Sequence, residues 1–587
     1  MLLKSIGSQF KKAYLCDTEF STEGGVIRPR CFVLHDLNSG QDIFIDENQL
    51  KKLDSPPFEI GKDAVFIAYF SPAELSCFLA LDWEFPTYIF DLFIEFRNYG
   101  NGFIEKGGYG LLAALAHFGL QYGDGTECET YKDEMRQLAL VGRDLSAGEM
   151  ENLLKYCQKD TIAMKPLLEA LPIPEGLPTN VYIHQALFRG EFMKTIARVE
   201  AAGIPVDDTV YKQFKEKKEK IKEKLIEESD FSWLYEGMTF KIDRFKKFLN
   251  DRGIIWPITP SGSPSTKGDV FEKMARLIPG LEPLKKLRDN IDTVKTIDLQ
   301  IRDGRAYYNC SPFGTKTGRN TPSSKTFPLS VSKWARNFIK PGKGKALVIR
   351  DYAQQEFYIG ALLSDDENMS AAYENGDPYM QFAILSKAAP IGATKATHAE
   401  VRKEFKQCIL AIQYGGGVRL IAENANVIYP RSQQLLRYHK QTFQKFWKWQ
   451  KRVVSTACIK GFIRTSLGWF QKIARKRVKT GEKTPSTRPI ANFPCQATGA
   501  EILRRACYEV EKFNLKIIAT VHDSIIVECD IGQAPLVSEQ LRIAMEKGSE
   551  FLLGGKKLRT DETIVRYPGR YREDIETWGK LKKYWDQ

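Results

Sequence analysis

The sequence lacks the cysteine and histidine spacings of a zinc site. Its 11 cysteines include no C-x-x-C pair, and its 6 histidines form no cluster with them. The cysteines lie instead inside apolar or patterned segments, among them Cys16, Cys157, Cys408 and Cys495. This distribution is typical of reduced, buried thiols in a cytosolic enzyme, and it excludes a zinc module or a disulfide scaffold.

Long apolar runs are also missing. No stretch reaches the roughly 20 apolar residues that cross a bilayer, and the opening MLLKSIGSQFKKAY has no signal-peptide core. We find no internal repeat and no low-complexity tract. These absences predict a protein with no membrane partner that works in the cytoplasm.

The composition is that of a folded, basic protein. Hydrophobic residues make up 43% and aromatic residues 12% of the chain, which excludes intrinsic disorder. A length of 587 residues predicts several domains. The net charge of +13 favours a polyanionic partner, although a ribosome or an anionic membrane surface would fit the charge equally well.

Strands and helices alternate in residues 1–180. AYLCDTEF, CFVLHDL and AVFIAYF are predicted strands, whereas GYGLLAALAHFGL and SAGEMENLLKYCQKDTIAMKPLLEAL are predicted helices. This alternation indicates an α/β domain. The proline-rich LPIPEGLPTN (171–180) is the predicted domain boundary.

The rest of the chain is mainly helical at first and mixed later. A Lys/Glu-rich segment at 207–229 is predicted to be one solvent-exposed helix with i,i+4 charge pairs. The turn-rich ITPSGSPSTKGD follows it, and about the last 290 residues mix long helices with short strands. The whole chain is therefore predicted to be α/β and α+β multidomain.

Two aspartates lie at the ends of predicted strands. Asp351 ends the β-branched strand of ALVIRDY, and Asp523 lies at the tip of the hairpin KIIATVHDSIIVE. A carboxylate at a strand end is well placed to bind a hard cation. A lone aspartate after a strand is, however, more often a turn or N-cap residue, so the two positions alone leave both interpretations open.

A third segment changes this balance. In VRKEFKQCILAIQYGGG, Arg402, Lys406, Leu410 and Tyr414 recur every four residues and share one helix face. The two basic residues offer fixed positive charge to a triphosphate, and the tyrosine comes just before helix-ending glycines. An ordinary amphipathic helix would have apolar residues along this face.

Together these segments resemble family A DNA polymerases. Asp351-Tyr352-Ala353-Gln354-Gln355-Glu356 is similar to the D-Y-S-Q-I-E motif of that family, Arg402 to Gly415 to R-x3-K-x3-F-x3-Y-G, and His522-Asp523-Ser524 to H-D-E. Two further segments match in the right order: Thr317-Gly318-Arg319 resembles its T-G-R, and Arg488, Asn492 and Gln496 resemble its R-x3-N-x3-Q. Any one motif is weak, but five in order are specific, and the resemblance covers essentially the whole chain.

The resemblance implies two-metal phosphoryl transfer. Asp351 and Asp523 would bind two Mg²⁺ ions, with Mn²⁺ as an alternative. Arg402 and Lys406 would hold the triphosphate, and Tyr414 would test the nascent pair. The other matched residues would contact substrate: Tyr352 and Glu356 beneath the sugar, Glu356 as the steric gate against a 2′-hydroxyl, Arg319 and His522 near the nascent pair, and Arg488, Asn492 and Gln496 beside the template.

Three residues depart from the family pattern. Ser524 stands where H-D-E has its acidic residue, so one carboxylate of the metal site is missing. Leu410 replaces an aromatic residue, which predicts discrimination against dideoxynucleotides. Arg350 stands where a small or apolar residue is usual, and the sequence explains it only if it forms a salt bridge near the metal site.

The N-terminal region resembles the DEDD 3′–5′ exonucleases that are fused to these polymerases. Asp17 and Glu19 alternate on a strand and point to one face. Tyr156 and Asp160 form the Y-x3-D motif on a later helix. The resemblance implies that Asp17, Glu19 and Asp160 hold two metal ions and that Tyr156 orients the attacking water.

The fourth carboxylate of this site is ambiguous in the sequence. Phe70-x3-Glu74 stands where the family has N-x3-D, so Glu74 is a candidate metal ligand. The alternative is structural, because Ser71-Pro72-Ala73-Glu74 has the pattern of a helix capping box. Asp91, in the Phe90-Asp91-Leu92-Phe93 segment downstream, is the second candidate.

The resemblance implies a definite architecture. A ribonuclease H-like exonuclease domain would occupy residues 1–180, and a right-hand polymerase domain residues 181–587. Within the polymerase domain we expect the thumb at about 181–300, the palm at about 301–365 and 490–587, and the fingers at about 366–480.

The implied function is template-directed extension of a DNA primer with proofreading, most similar to a phage replicase. Its partners would be primer–template DNA, deoxynucleoside triphosphates and phage replication proteins, in the host cytoplasm. A single-subunit RNA polymerase shares the two aspartates, but Glu356 and the exonuclease motifs argue against it. A non-catalytic DNA-binding protein is disfavoured by the intact Asp351, Asp523, Arg402, Lys406 and Tyr414.

Overall fold

The structure is a computed structural model that describes residues 2–23, 25–104, 108–122, 129–473, 475–477, 483–485 and 487–586. Its secondary structure begins with a sheet region. The elements of this region are α1 (Leu2–Gln9), β1 (Lys12–Glu23), β2 (Val26–Asp36), β3 (Asp42–Asp46), α2 (Glu47–Leu50), β4 (Ala64–Ala68), α3 (Pro72–Ala80) and β5 (Tyr88–Asp91).

The five strands form one mixed sheet in the order β3-β2-β1-β4-β5. β1 is antiparallel to β2 and parallel to β4, and β4 is parallel to β5. Parallel neighbours need long connections: β4 and β5 are joined through α3, and β1 and β4 through β2, β3 and α2. The strands predicted from AYLCDTEF, CFVLHDL and AVFIAYF are therefore confirmed.

Helices cover this sheet. They are α4 (Leu92–Gly100), α5 (Leu111–His117), α6 (Glu129–Leu140), α7 (Ala147–Ala170) and α8 (Thr179–Ala202). α6 and α7 both pack against β1. α7 begins at a true capping box, in which Ser146 and Glu149 exchange hydrogen bonds with each other's backbone N–H groups.

Helix α8 follows the predicted boundary and joins the two halves of the chain. Arg189 forms two hydrogen bonds to Glu95, at 2.6 and 2.7 Å, in a fully buried pair. A Cβ atom on Gly190 would lie 2.0 Å from the carbonyl oxygen of Ile89, so only glycine permits this approach to β5. α8 also packs against the C-terminal half, which makes it part of both cores.

The next region is mainly helical. It contains β6 (Ile204–Pro205), α9 (Asp208–Glu216), α10 (Lys218–Glu227), β7 (Tyr235–Glu236), β8 (Thr239–Phe240), α11 (Ile242–Asp251), α12 (Gly268–Leu277), α13 (Glu282–Thr296), β9 (Gln300–Arg302) and β10 (Arg305–Tyr307). The single helix predicted for the Lys/Glu-rich segment is wrong in one respect. The segment breaks at Lys217 into α9 and α10, whose buried Phe214 and Ile221 face an aromatic core that includes Trp334 and Trp585.

The described residues of the C-terminal half form a four-stranded sheet, two short two-stranded sheets and the surrounding helices. Its elements are β11 (Lys345–Tyr352), α14 (Gln355–Ser364), α15 (Glu367–Glu374), α16 (Pro378–Leu385), α17 (Ala399–Gln413), α18 (Val418–Ala425), α19 (Tyr429–Thr442), α20 (Gln444–Lys460), β12 (Phe462–Arg464), β13 (Phe470–Lys472), β14 (Arg475–Arg477), β15 (Lys483–Pro485), α21 (Thr487–Glu511), β16 (Lys516–Val521), β17 (Ser524–Asp530), α22 (Ala534–Leu552), β18 (Thr560–Arg566) and α23 (Ile575–Asp586).

The four-stranded sheet of this half has the order β16-β17-β11-β18, and all its neighbours are antiparallel. Helices α21 and α22 pack on each other, and α22 packs on β11. The largest apolar core of the described residues lies between these layers. Among the residues that the structure describes, no helix is both long and apolar enough to cross a membrane.

Candidate active sites

Asp351 and Asp523 meet at one end of the four-stranded sheet. β11 pairs with β17 so that Asp351 lies opposite Ser524, and the Tyr352 N–H donates to the Asp523 carbonyl at 3.2 Å. The two-residue turn between β16 and β17 has His522 at φ +54°, a conformation that histidine tolerates better than bulky branched residues. The apolar strands thus bring two carboxylates from distant parts of the sequence side by side.

The two carboxylates repel each other. Burial, followed by the charge of Asp351, raises the pKa of Asp523 to about 8. The Ser524 hydroxyl donates a hydrogen bond of 2.5 Å to Asp351 Oδ1. Ser524 therefore supplies a donor to the aspartate where the family motif would supply a third negative charge.

Helix α17 carries the basic stripe predicted from the sequence. Arg402, Lys406 and Leu410 are half-buried along it, and Tyr414 forms its C-cap with 49% of its surface exposed. Gly415 follows at φ +68°, and a Cβ atom there would lie 3.0 Å from the Arg488 Cα. This close approach fixes the end of α17 against the start of α21.

Two residues of this region were not identified from the sequence. The Arg402 guanidinium forms an ion pair with Asp377, whose side chain also caps the N-terminus of α16. The Tyr379 ring lies beneath both basic groups, 5.2 Å from the Arg402 guanidinium carbon and 5.8 Å from Lys406 Nζ. In the sequence, Gly376-Asp377-Pro378 indicates only a helix start, so nothing there distinguishes these residues.

Tyr379 connects the basic stripe to the aspartates. Burial raises the pKa of its hydroxyl to about 12, and Arg402, Asp377, Glu356 and Asp523 also act on it. The Tyr379 hydroxyl therefore lies close enough to the basic stripe and to the aspartate pair for the charges of both to affect its pKa.

Most of the predicted substrate-binding residues surround one cleft. Its cavity has a volume of about 630 Å³, and the predicted residues among its lining are Arg319, Tyr414, Arg488, Asn492, Gln496 and His522. Glu356 joins this group through an ion pair of 2.8 Å with Arg319. Arg319 and Glu356 in turn act on the pKa of Tyr414, which burial raises. Residues from five separate motifs thus converge.

Tyr352 is the exception among the predicted substrate residues. Its side chain is only 1% exposed, and its hydroxyl donates to the Met545 carbonyl at 2.5 Å. Because successive side chains of a strand point to opposite faces, Tyr352 points into the core while Asp351 faces the cleft. The prediction that the Tyr352 side chain contacts substrate is therefore wrong.

Arg350 is also explained by the structure. It is buried and donates to the Ser538 carbonyl at 2.8 Å, the Thr560 hydroxyl at 2.9 Å and Glu562 at 3.1 Å. These contacts join β11 to α22 and β18. The expected salt bridge is present, to Glu562, but it lies on the face of the sheet opposite Asp351, where Arg350 stabilises the sheet.

A second acidic site lies on the N-terminal sheet. Asp17 and Glu19 project from β1 towards α7, which presents the buried Tyr156 and Asp160. Burial, followed by Asp160, raises the pKa of Asp17 to about 8. Burial and then Asp17 raise the pKa of Glu19 well above its usual value.

The structure separates the two candidates for the fourth carboxylate. Asp91 accepts hydrogen bonds from the Ser71 N–H and hydroxyl at 2.7 Å each and from the Ile94 N–H at 3.0 Å. Both of its oxygens are thus engaged in holding a turn and capping α4. The capping box proposed for Ser71 and Glu74 is absent, because the Ser71 side chain donates to Asp91 instead.

Glu74 is left without such a structural role. It is buried, its Oε2 atom has no hydrogen-bond partner, and after burial the charge of Asp17 is the largest effect that raises its pKa. The Oδ2 atom of Asp17 is likewise buried and unpartnered. Buried oxygens of this kind are costly unless something binds them, which favours Glu74 over Asp91 as the fourth acidic residue.

One further residue of this site, Lys132, was not identified from the sequence. Its ammonium group on α6 donates to Asp160 Oδ1 at 2.7 Å, and both side chains are almost fully buried. No sequence pattern points to it, because a lysine in an acidic, polar helix is normally solvent-exposed.

Both sites fit divalent cations chemically. Oxygen donors from Asp and Glu are the ligands of Mg²⁺ and Mn²⁺, and the raised pKa values and the unpartnered oxygens of Asp17 and Glu74 reflect negative charge that a cation would neutralise. In the described part of the chain, no three His, Cys, Asp or Glu side chains converge closely enough to hold a metal ion as they stand. The ligands of either site would therefore shift towards a bound ion.

Comparison with known proteins agrees with this geometry. DNA polymerase I of Aquifex aeolicus (strain VF5) is 25% identical over 412 residues, which cover 65% of this chain and 66% of that protein. The thermostable DNA polymerase I of Thermus aquaticus is 24% identical over 305 residues, covering 49% and 36%. The chain thus matches less than two thirds of the length of these relatives.

A solved structure shares the fold. The POL domain of Pol1 from M. smegmatis, in complex with DNA primer–template and dNTP, aligns over 97% of both chains with a TM-score of 0.72 and 16% identity. This likeness confirms the predicted multidomain right-hand architecture. The model of DNA polymerase family A matches residues 210–557, more than half of the sequence. The chain therefore belongs to DNA polymerase family A.

Proposed function

We propose that this chain is a DNA-directed DNA polymerase that extends a primer with deoxynucleoside triphosphates. The observation that carries the proposal is that Asp351 and Asp523 lie side by side at the end of a sheet, beside the basic stripe of α17 and the 630 Å³ cleft. The M. smegmatis structure, a complex with DNA primer–template and dNTP, supports the same substrates.

Each residue of the polymerase site has a separate proposed role. Two bound Mg²⁺ ions, held by Asp351 and Asp523, would supply the positive charge that phosphoryl transfer needs. Arg402 and Lys406 bind the triphosphate, and Arg402 exchanges its ion pair with Asp377 for phosphate oxygens. Glu356, fixed by Arg319, limits the space at the sugar 2′ position.

The remaining cleft residues position the template and the new base pair. Tyr414 is exposed at the end of α17, where its ring can stack on a base. Arg488, Asn492 and Gln496 follow one another along α21 at four-residue spacing, so they form one stripe along the cleft wall. His522 and Arg319 face them.

Primer extension on a defined template with Mg²⁺ tests this function. The wild-type chain should extend the primer, and Asp523→Ala should lower the rate by about 1,000-fold or more, since it removes half of the aspartate pair. Asp530→Ala, at the far end of β17, is the matched control and should keep the wild-type rate. Absence of extension by the folded wild-type protein would refute the function.

We propose in addition that residues 1–180 form a 3′–5′ exonuclease domain that proofreads, and that residues 181–587 form the polymerase domain. Asp17, Glu19, Glu74 and Asp160 would hold the metal ions of the nuclease site, and Tyr156 would orient the attacking water. The buried, mutually repelling carboxylates and their unpartnered oxygens support this assignment.

A primer with a mismatched 3′ end tests the nuclease. The wild type should remove the terminal nucleotide, Asp17→Ala should not, and Asp17→Ala should still extend a matched primer. Asp54→Ala, in a connecting loop of the same domain, serves as the control. Excision by Asp17→Ala at the wild-type rate would contradict the proposal.

The most specific part of the proposal concerns biological role and substrate choice. Ser524 and Leu410 depart from the repair-polymerase pattern, and on this basis we propose replication of a phage genome in the host cytoplasm, with phage replication proteins as partners. Leu410 lies on the same face of α17 as the triphosphate-binding residues and is proposed to disfavour dideoxynucleotides. Equal use of dideoxy and normal substrates in single-nucleotide extension would refute that selectivity.

A further inference from the structure

The nuclease site contains a buried lysine in direct contact with one of its acidic residues. Lys132 Nζ lies 2.7 Å from Asp160 Oδ1, and the two side chains are only 7% and 12% exposed. Burying an ammonium group is costly unless it is paired and hydrogen-bonded. A lysine in this position is therefore held there by a specific set of contacts.

Aromatic rings complete the environment of the ammonium group. Lys132 Nζ lies 4.3 Å from the centroid of the Tyr122 ring and 5.7 Å from that of Tyr156. Both distances fall within the range of a cation–π interaction. Lys132 therefore contacts Asp160 and lies close to Tyr156, the proposed water-orienting residue.

The four acidic residues differ in how their oxygens are satisfied. Asp17 and Glu74 each keep one buried oxygen without a partner, whereas Asp160 receives the Lys132 ammonium. Asp17 is also influenced by Lys132, whose positive charge opposes the increase of its pKa. Lys132 is therefore a cation of the acidic cluster itself and not only a partner of one residue.

We propose that the Lys132 ammonium group is a built-in cation of the nuclease site. It holds Asp160 while no divalent ion is bound, and it competes with that ion for the Asp160 carboxylate. The proposal rests on the nuclease function proposed above. It makes Lys132 a positioning residue, because it acts through Asp160. When a divalent ion binds, the Asp160 oxygen exchanges its hydrogen bond from Lys132 for a bond to the metal, and no proton or electron is transferred.

Among the described residues, no Lys or Arg side chain is hydrogen-bonded to Asp351 or Asp523. Asp351 receives the neutral Ser524 hydroxyl. Arg319, whose charge opposes the rise of the Asp523 pKa, is itself paired with Glu356. The nuclease site should therefore need more divalent ion than the polymerase site. In one preparation, excision should reach half of its maximal rate at a higher Mg²⁺ concentration than extension does.

Titration calorimetry with Mn²⁺ alone tests the competition directly. The full chain carrying Asp351→Asn and Asp523→Asn leaves the nuclease site as the acidic site under study, at a pH of about 7.5, where carboxylates with ordinary pKa values are ionised and Mn²⁺ stays dissolved. Adding Lys132→Met should tighten Mn²⁺ binding by about tenfold or more, since a positive charge next to the ion is removed. Unchanged or weaker binding by the folded Lys132→Met protein would overturn the proposal.

Two matched variants separate charge from packing. Lys132→Arg keeps the positive charge and should bind Mn²⁺ like the parent protein. Lys155→Met removes a lysine from α7 of the same domain, where it is paired with Glu151 at the surface, and should leave binding unchanged. Tightening by Lys155→Met equal to that by Lys132→Met would show a general charge effect and would also overturn the proposal.

A measurement on the unaltered chain covers the case in which Lys132→Met does not fold. Acylation of lysines followed by mass spectrometry should label Lys132 slowly without metal, because it is buried in an ion pair, and faster once Mn²⁺ has displaced it from Asp160. Labelling of Lys132 that is insensitive to Mn²⁺ would contradict the exchange.

The outcomes also distinguish this inference from the nuclease function. Tighter Mn²⁺ binding by Lys132→Met without excision by any variant would refute the nuclease and keep the built-in cation. Excision by the wild type together with identical Mn²⁺ isotherms would keep the nuclease and refute the role of Lys132.

Discussion

The two acidic sites of this protein handle the same excess of negative charge in different ways. At the end of the four-stranded sheet, Asp351 and Asp523 are adjacent, and burial followed by the charge of Asp351 raises the pKa of Asp523. On the N-terminal sheet, Asp160 is neutralised by the buried Lys132, and it is Asp17, Glu19 and Glu74 whose pKa values rise.

This difference follows from how each site is built. The first site lies on a hairpin tip beside an open cleft, where the Ser524 hydroxyl donates to Asp351 and the nearby Arg319 is paired with Glu356. The second lies between a sheet and the helices α6 and α7, so a long side chain can reach the acidic cluster from a neighbouring helix. A site that is enclosed by helices can carry its own counter-ion, and a site at a cleft depends on ions from solution.

The largest effect expected from this comparison is a loss of excision activity, and it distinguishes Glu74 from Asp91. Glu74→Gln should reduce excision by about 100-fold, because it replaces a proposed metal ligand by a neutral amide, and should not lower the melting temperature. Asp91→Asn should keep most of the excision activity but destabilise the fold by about 1–3 kcal/mol, because it weakens the bonds to Ser71 and Ile94. Excision assays and thermal melts of both variants make the test.

The reverse outcome would change the assignment. If Asp91→Asn abolished excision in a stable protein while Glu74→Gln had no effect, Asp91 would be the ligand and Glu74 a buried structural acid. Glu84→Gln, at the turn before β5, controls for the loss of one glutamate from this domain.

These assignments illustrate how much the sequence determined. The strand containing Asp17, the hairpin tip at Asp523 and the stripe on α17 were predictable, because each depends on a local periodicity or turn pattern. The choice between Glu74 and Asp91 was not, since it depends on which carboxylate Ser71 contacts across the fold.

Sequence reasoning missed other residues for the same reason, because their roles also depend on tertiary contacts. Lys132 contacts Asp160 from 28 residues away, and Asp377 contacts Arg402 from 25 residues away. The reverse error occurred for Tyr352, where a motif position implied a substrate contact although strand alternation turns the side chain into the core. Motifs identified the elements of both sites, whereas tertiary contacts decided which side chains take part.

A smaller effect is expected from Ser524. Ser524→Ala removes the hydrogen bond to Asp351 and should lower the efficiency of primer extension by about 3–10-fold, while excision stays unchanged. Ser524→Thr keeps a hydroxyl group and is the matched control. Single-turnover extension measures the effect, and a wild-type rate for Ser524→Ala would mean that Asp351 does not need this donor.

The smallest expected effect is a pH-dependent change of stability, and it tests the comparison itself. The pKa of Asp523 rises from 3.8 to about 8 on folding, so the folded state binds this proton more tightly than the unfolded state does. Its contribution to stability is present at low pH and is lost as the pH rises from about 4 to about 8. Without metal, Asp523→Asn should therefore melt about 2–4 °C above the wild type at pH about 9, and the difference should shrink as the pH falls and vanish at about pH 3.5. Asp160→Asn should do the opposite and lower the melting temperature at high and low pH, because the Lys132 ammonium would stay buried without its charged partner.

A gain of stability in Asp160→Asn at high pH, like that expected for Asp523→Asn, would contradict this difference between the sites. It would mean that repulsion between carboxylates destabilises both sites in the same way and that Lys132 does not neutralise the nuclease site.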